Sequence, residues 1–511
     1  MGDPATAVNP SDMIAAEPNA LLPILLEFCM ICITVTPTSR TLVKADLLNA
    51  ARHGDIIELC LDHFVNEPDV KDLITAVDKP MIVSCRRPQD GGKWKGTEQE
   101  RLLLLRQAIV AGPAYIELDL DIADQIPRFG KTQRVISFTR LDRPETDIDG
   151  VFDAAANAKA DIVKFAWPTP TLDAAWPLLA AVSQKRTLPV VGLGLGQAEI
   201  TFSLLGMKYG SPWIYAALEQ GMEAYPGQAT VFDLKDIYHS DGITPKTAFV
   251  AVAGFGESQT VTTKVLNAGF QHLGGNVRCL PIELGDLRQL KKMLDVLKIR
   301  AIIVQGAHGQ SLLELAEHVD KHDRQSGYLN LLLKRDDGWH GYNTLWRSSL
   351  KAVEAELQPI GKTLATQNVM VIGNGGMAQS MVHAITQRQG LVSVCGPDDK
   401  RAQHTAQVNN CRFVPFQNLY ETLSDIVILA DPQISSGTRH GQINPSLFRP
   451  NMTVLDVSNL PIENSLMQEA RDRGSKVISS ANIYMDQLNG QFKAVTGKDL
   501  PESAYVAGLA E

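Results

Sequence analysis

Short apolar runs recur along the first half of the chain. They lie at Ile31–Val35, Ile56–Leu61, Met81–Cys85, Tyr115–Leu120, Arg134–Phe138, Ile162–Ala166, Pro189–Leu195 and Trp213–Leu218. Helical or mixed segments such as Thr97–Ala111 and Leu172–Gln184 separate most of them. Short runs bounded by turn residues read as buried strands, and strands alternating with helices imply a parallel sheet. Eight such units in roughly 215 residues predict a closed (β/α)8 barrel. In that fold the polar groups at the C-terminal strand ends face one cavity. Those ends carry Glu58, Arg86, Thr139 with Arg140, and Lys164. A carboxylate, guanidinium and amine from separate strands suit a small anionic carbonyl compound.

Lys164 is the most informative of these. It sits in Asp161-Ile-Val-Lys-Phe-Ala-Trp167, inside an apolar strand. A lysine there is desolvated or placed beside charge. Desolvation or a neighbouring cation lowers an amine's pKa and makes it a nucleophile able to form a Schiff base. The plainer reading is a lysine snorkelling from a strand end.

The rhythm breaks at the polar stretch Tyr238–Lys246 and then restarts with a different spacing. Strands are expected at Ala248–Ala253, Val277–Pro281, Ala301–Val304 and Asn368–Ile372, and helices at Val261–Phe270 and Leu284–Leu297. Asn368–Ile372 runs into Gly373-x-Gly375-Gly376-x-Ala378 and then a helix through Gln387. Such glycines permit a tight turn and close approach to a pyrophosphate at a helix N-terminus. A cofactor-free strand–helix turn has the same pattern. The next strand, Leu391–Val394, leads to Cys395-Gly-Pro-Asp398-Asp399. Asp398 lies where a ribose-binding carboxylate is expected, and Gly-Pro-Asp-Asp is equally turn chemistry.

Composition narrows the function classes. With 511 residues the chain has room for two to four domains. Net charge is −9, and no lysine–arginine block is interleaved with aromatics, which argues against nucleic acid. The seven cysteines are scattered without paired ligand spacing, so no metal site is expected and a reducing cytoplasm fits. The stretch Ala20–Val35 contains Pro23 and Glu27 and is too short to span a bilayer, so no membrane role is expected.

Several motifs in one order carry a family likeness. On the first half they are Ile57-Glu-Leu-Cys-Leu-Asp-His63, Val83-Ser-Cys-Arg-Arg-Pro-Gln-Asp-Gly-Gly92, Asp161-Ile-Val-Lys-Phe165 and Pro226-Gly-Gln228. On the second they are Gly341-Tyr-Asn-Thr344, Gly373–Ala378, Val454-Leu-Asp-Val457 and Met485-Asp-Gln-Leu-Asn-Gly-Gln-Phe492. The first set resembles type I 3-dehydroquinate dehydratase and the second resembles shikimate dehydrogenase. That is the order of the fused dehydratase–dehydrogenase of the shikimate pathway. The resemblance divides the chain into a loose tail (1–24), a barrel (25–240), a substrate lobe (246–345) and a Rossmann-like lobe with the C-terminal helix (346–511).

The resemblance implies that Lys164 forms an imine with the substrate ketone. It assigns Glu58, Arg86 and Gln228 to substrate binding in the barrel. In the second half it assigns Ser258, Thr260, Asn330 and Gln487 to the substrate, and Gly373, Gly375, Gly376, Ala378 and Asp398 to NAD or NADP. The pattern also departs from the family. Thr139 stands where the family has its proton-transferring histidine, and Cys60 and Ser203 replace two arginines. Arg87, Arg140 and His63 are the candidates to compensate. Gly309 and Leu345 replace the dehydrogenase lysine and aspartate, which leaves His308 as the nearest proton donor. Cys395-Gly396-Pro397 replaces the segment that reads the NADP 2′-phosphate. The expectation is a bifunctional-type shikimate-pathway protein whose dehydrogenase half is weak or inactive. The alternatives are a metabolite sensor or scaffold, and an enzyme acting on another hydroxy-keto acid. Oligomeric state is left open.

Overall fold

The computed structural model describes residues 29–37, 42–66 and 68–509, so the expected tail over residues 1–24 lies outside the described residues. The chain divides into two compact units. The first runs up to Ala248 and adds Asn276–Gly285, with strand Val277–Ile282, and Lys292–Lys298; the second takes the rest.

Eight strands build the first unit: β1 (Met30–Val35), β2 (Ile56–Cys60), β3 (Met81–Ser84), β4 (Tyr115–Asp119), β5 (Gln133–Thr139), β6 (Ile162–Pro168), β7 (Val190–Leu195) and β8 (Trp213–Ala217). They are parallel, in the hydrogen-bonded order β7-β6-β5-β4-β3-β2-β1-β8, a nearly closed barrel. One parity of each strand packs inward: Cys32, Ile56, Ile82, Val135, Ile162, Val191, Trp213 and Tyr215 share a single core cluster. The opposite parity, including Ile33, Ile57, Val83, Ile116, Ile136 and Val163, is buried as well. Burial on both faces is why the strands read as continuous apolar runs rather than alternating ones.

The crossovers follow their sequence signals. Helix Glu98–Ala111 starts at a capping box in which Thr97 accepts from Glu100 N and the Glu100 carboxylate accepts from Thr97 N, and it stops at Gly112 in the left-handed region. Between β4 and β5 the connection is a 3-10 segment, Leu120–Gln125, and no α-helix forms there.

The second unit holds two sheets. In the first, β9 (Ala248–Ala253), β11 (Ile299–Val304), β13 (Leu331–Arg335), β14 (Gly338–Tyr342) and β12 (His318–Val319) lie side by side in that order, β10 being the strand Val277–Ile282. β13 and β14 form an antiparallel hairpin, and β12 adds parallel to β14. The other sheet contains β15 (Asn368–Ile372), β16 (Leu391–Cys395), β17 (Arg412–Phe413), β18 (Ile426–Leu429), β19 (Thr453–Asp456) and β20 (Lys476–Ile478). Its order is β17-β16-β15-β18-β19-β20, all parallel. That is the 3-2-1-4-5-6 order of a Rossmann-like sheet, with its switch point between β15 and β18.

Candidate functional sites

Lys164 lies on the inward parity of β6, and its residue surface is only 1% exposed. Its Nζ donates to Glu117 Oε2 at 2.8 Å and sits 4.5 Å from the centre of the Tyr215 ring. The amine therefore faces an anion and an aromatic face. Burial is as expected, and the neighbouring charge is a carboxylate rather than a cation.

Glu58 and Arg86 meet beside this pair. Ser84 Oγ donates to Glu58 Oε1 at 2.6 Å, and Arg86 Nη2 lies 3.5 Å from the same oxygen. Burial pushes the Glu58 carboxyl upward, but Arg86, Lys164 and the Ser84 hydrogen bond outweigh it and hold the group below its usual range. Burial opposes the Arg86 charge as well, yet Glu58, Cys60, Asp62 and Glu117 together outweigh it and raise its pKa. Arg86 Nη2 also points at Cys60 Sγ, 3.3 Å away. The remaining Glu58 oxygen, Oε2, and Arg86 Nε are buried with no hydrogen-bond partner among the described residues, so both can bind a polar ligand. Gln228 exchanges hydrogen bonds with Thr34 Oγ1, and its Oε1 accepts from Ala224 N at 2.8 Å. Thr34 also lines a cavity of about 240 Å³ beside the ends of β1 and β8, with Thr36, Asp46 and Met222; Lys164 is not part of its wall.

The compensating residues fare unequally. Arg87 is taken by Asp90 at 2.6 Å and Asp121 at 2.8 Å, and Arg140 by Glu145 at 3.0 Å. Both guanidiniums already have carboxylate partners. Thr139 is half-buried and pairs in register with Ala166, two residues beyond the level of Lys164. His63 is buried just past β2; desolvation lowers its pKa against the pull of Asp62, and its Nε2 has no hydrogen-bond partner among the described residues.

At Ser203 a second departure compounds the first. Ser203 Oγ donates to Glu199 Oε1, and Ala229 N donates to the other oxygen at 3.3 Å. Burial raises the Glu199 carboxyl to about 7. A buried acid therefore stands beside the place where the family likeness puts a cation. Glu117, Ser84 and Glu199 were all missed in the sequence. Glu117 had a signal: it shares its strand face with Asp119 in an otherwise apolar run.

In the second unit, Gln487 Nε2 donates to Gln305 Oε1 at 2.9 Å, and Gln259 Nε2 donates to the Gln305 carbonyl at 3.0 Å. Ser258, at the start of helix Glu257–His272, donates to the Leu460 carbonyl, and Thr260 to that of Gly256 at 3.2 Å. Asn330 Oδ1 accepts from Thr344 N at 2.8 Å, while its Nδ2 is buried without a partner among the described residues. Ser258 and Thr260 are thus committed to backbone, and the amides of Asn330 and Gln487 keep unused polar atoms. A Cβ on Gly309 would lie 2.3 Å from the Tyr328 ring and 2.4 Å from the Leu329 carbonyl, so no side chain fits there. Leu345 is buried at the start of helix Thr344–Leu357. His308 is exposed on a 3-10 turn.

The glycine loop joins β15 to helix Gly376–Gln387 at the switch point. A Cβ on Gly373 would meet the Ala430 carbonyl at 2.8 Å, whereas one on Gly375 would meet nothing within 4 Å. Ala378 is fully buried behind the loop. Asp431 Oδ2 accepts from Asn374 N at 3.3 Å, placing an anion against the loop. Asp398 caps helix Asp399–Asn409 by accepting from Lys400 N and Arg401 N, so its carboxylate does turn chemistry. Arg401 Nε lies 3.5 Å from Asp398 Oδ2 and is largely exposed. Arg401 belongs to the first turn of that helix, six residues past the end of β16.

The family model for type I 3-dehydroquinase matches residues 31–245. Those residues form a type I 3-dehydroquinase domain. Across the whole chain there is 25% identity over 508 residues to a bifunctional 3-dehydroquinate dehydratase/shikimate dehydrogenase of Arabidopsis thaliana, covering 93% of this chain and 83% of the relative. The later part is homologous to shikimate dehydrogenases; one from Dehalococcoides mccartyi, named for NADP(+), is 26% identical over 269 residues, covering 50% of this chain and 92% of the relative. A solved dehydroquinate dehydratase and shikimate dehydrogenase from S. pombe aligns with 95% of this chain and 98% of its own, at a TM-score of 0.40 and 15% identity. Among the described residues no helix is long and apolar enough to cross a membrane.

Proposed function

We propose that this is a shikimate-pathway protein of the fused dehydratase–dehydrogenase kind, with 3-dehydroquinate as the compound met by Lys164. The Lys164–Glu117 pair at 2.8 Å carries this reading. Glu117 fixes the Lys164 nitrogen in the barrel interior, and the free amine is the form that attacks a ketone. The free amine adds to the ketone, the carbinolamine loses water, and the iminium acidifies the neighbouring C–H. His63, with its buried Nε2 unpartnered among the described residues, is the base we assign to that C–H, because Thr139 cannot serve. Glu58, Arg86 and Gln228 hold the hydroxyls and carboxylate, with Lys164 as the catalytic residue.

For the second unit we propose the substrate lobe over 246–345 and the nucleotide lobe over 346–511. Gly373, Gly375, Gly376 and Ala378 would cradle the pyrophosphate of NAD or NADP, and Asn330 and Gln487 would meet the substrate. The bound nucleotide supplies or accepts a hydride, and the carbonyl oxygen needs a proton donor as its charge develops. Gly309 and Leu345 offer none and His308 is exposed, so oxidoreduction here is expected to be weak.

A second reading is favoured by Glu199, which reverses the charge expected near a substrate carboxylate: a sensor or scaffold that binds without turnover. Incubating the purified chain with 3-dehydroquinate and following the enone absorbance of the product separates the two. Turnover supports the dehydratase reading. Calorimetric binding without turnover supports the sensor.

A further inference from the structure

The sheet edge at β12 and β14 gathers three metal-ligating side chains from separate places in the sequence. His318 on β12 and His340 on β14 are direct partners in the parallel ladder. Paired positions project to the same sheet face, and the two rings stack with centroids 4.6 Å apart. Asp337 lies in the turn that joins β13 to β14. His340 Nε2 is 2.7 Å from Asp337 Oδ1, and His318 Nε2 is 3.7 Å from Oδ2. One ligand atom from each residue falls within 4.8 Å of the others. Among the described residues this is the one place where three histidine, cysteine or acidic side chains converge so closely.

We infer that His318, Asp337 and His340 form a binding site for a divalent transition ion of the zinc class. Two imidazoles and a carboxylate are the donor set such ions prefer over magnesium or calcium. In a tetrahedral site with bonds of ~2.0–2.2 Å the ligand atoms stand roughly 3.3 Å apart, so the three need to close by an ångström or so. The movement gives up the hydrogen bond that His318 Nε2 donates to the Asp337 carbonyl at 3.0 Å, and it is small for His318 and Asp337, which are exposed, and for His340, which is partly so.

The ligand count stops at three from the chain. Glu317 adjoins the site but is engaged by Lys291 Nζ at 2.8 Å and Trp339 N at 2.7 Å. A cavity of about 350 Å³, lined by His318 and His340 with Asp320, Arg324 and Tyr342, flanks the cluster. The fourth position therefore falls to water or to a small anion. Arg324 in the cavity wall suits the latter.

The test is a titration of the chelator-stripped full chain with Co2+, followed by calorimetry and by the visible absorption of a four-coordinate ion. One equivalent is expected to bind, to be displaced by Zn2+, and to survive excess Mg2+. The double variant His318→Gln/His340→Gln is expected to bind about tenfold or more weakly, while His404→Gln, an exposed histidine elsewhere, is unchanged. If the double variant melts early in chelator, His318→Gln alone repeats the comparison, since it leaves the His340–Asp337 bond in place. No stoichiometric uptake by the unmodified chain overturns the inference, as does uptake that the histidine changes leave unaltered.

Discussion

Changing Glu117 to Gln keeps the shape of the side chain and removes its charge. At 2.8 Å the attraction lost is on the order of 6 kcal/mol for an effective dielectric near 20. The amide oxygen still accepts one hydrogen bond, and Glu58 supplies part of the field. The net cost is then expected at ~3–5 kcal/mol, the range for stranding one partner of a buried pair. For a barrel of this size that lowers its melting transition by roughly 6–20 °C. Lys44–Asp72 is the internal control: it has the same 2.8 Å separation, but its side chains are 49% and 53% exposed. Asp72→Asn should cost less than ~1 kcal/mol. The pair Glu117→Leu/Lys164→Met should recover most of the loss, because neither charge is left alone. Differential scanning calorimetry of the four proteins reads all of this. A Glu117→Gln cost no larger than that of Asp72→Asn would show that the barrel interior screens charge like solvent, and the role of Glu117 in holding the Lys164 nitrogen would lose its basis.

Glu199 gives a pH signature. Its carboxyl is raised from 4.5 to about 7, so in that window the folded state binds more protons than the unfolded one. Stability should therefore fall as pH rises from ~4.5 to ~7, by about 3 kcal/mol in all, and Glu199→Gln should flatten the curve in urea unfolding at stepped pH. Asp431→Asn removes an anion from the glycine loop and should tighten binding of a dinucleotide by about five- to tenfold in calorimetric titration; unchanged affinity means the loop does not meet the phosphates. Thr139→His introduces a group that titrates near neutrality and should raise dehydratase turnover by ~10²-fold or more if the geometry there is intact; no gain means Thr139 lies outside the proton path. Ser203→Arg is expected to pair with Glu199 instead of lowering KM unless Glu199 is changed with it.

The barrel was legible because both strand faces are apolar, which makes each strand a bounded run. The eight expected strands match the observed ones to within a residue or two. The glycine loop was legible for a different reason: its strand–turn–helix context is local. What escaped were the pairings that only folding creates. Glu117 lies 47 residues before Lys164 and is joined to it across the barrel interior. Asp431 reaches the loop from just past β18. His318 and His340 become neighbours only when β12 adds to a hairpin formed after it. Arg87 and Arg140 each meet a carboxylate within five residues in the chain, Asp90 and Glu145, pairings that nearness in sequence offers but does not single out.

The central claim is that Lys164 is the nucleophile of the barrel. Incubation of the full chain with 3-dehydroquinate and borohydride, followed by proteolysis and mass mapping, tests it directly. One adduct per chain is predicted, on the peptide carrying Lys164, and Lys164→Ala should abolish it while the barrel still folds. An adduct on another lysine, or none at saturating ligand, would contradict the account.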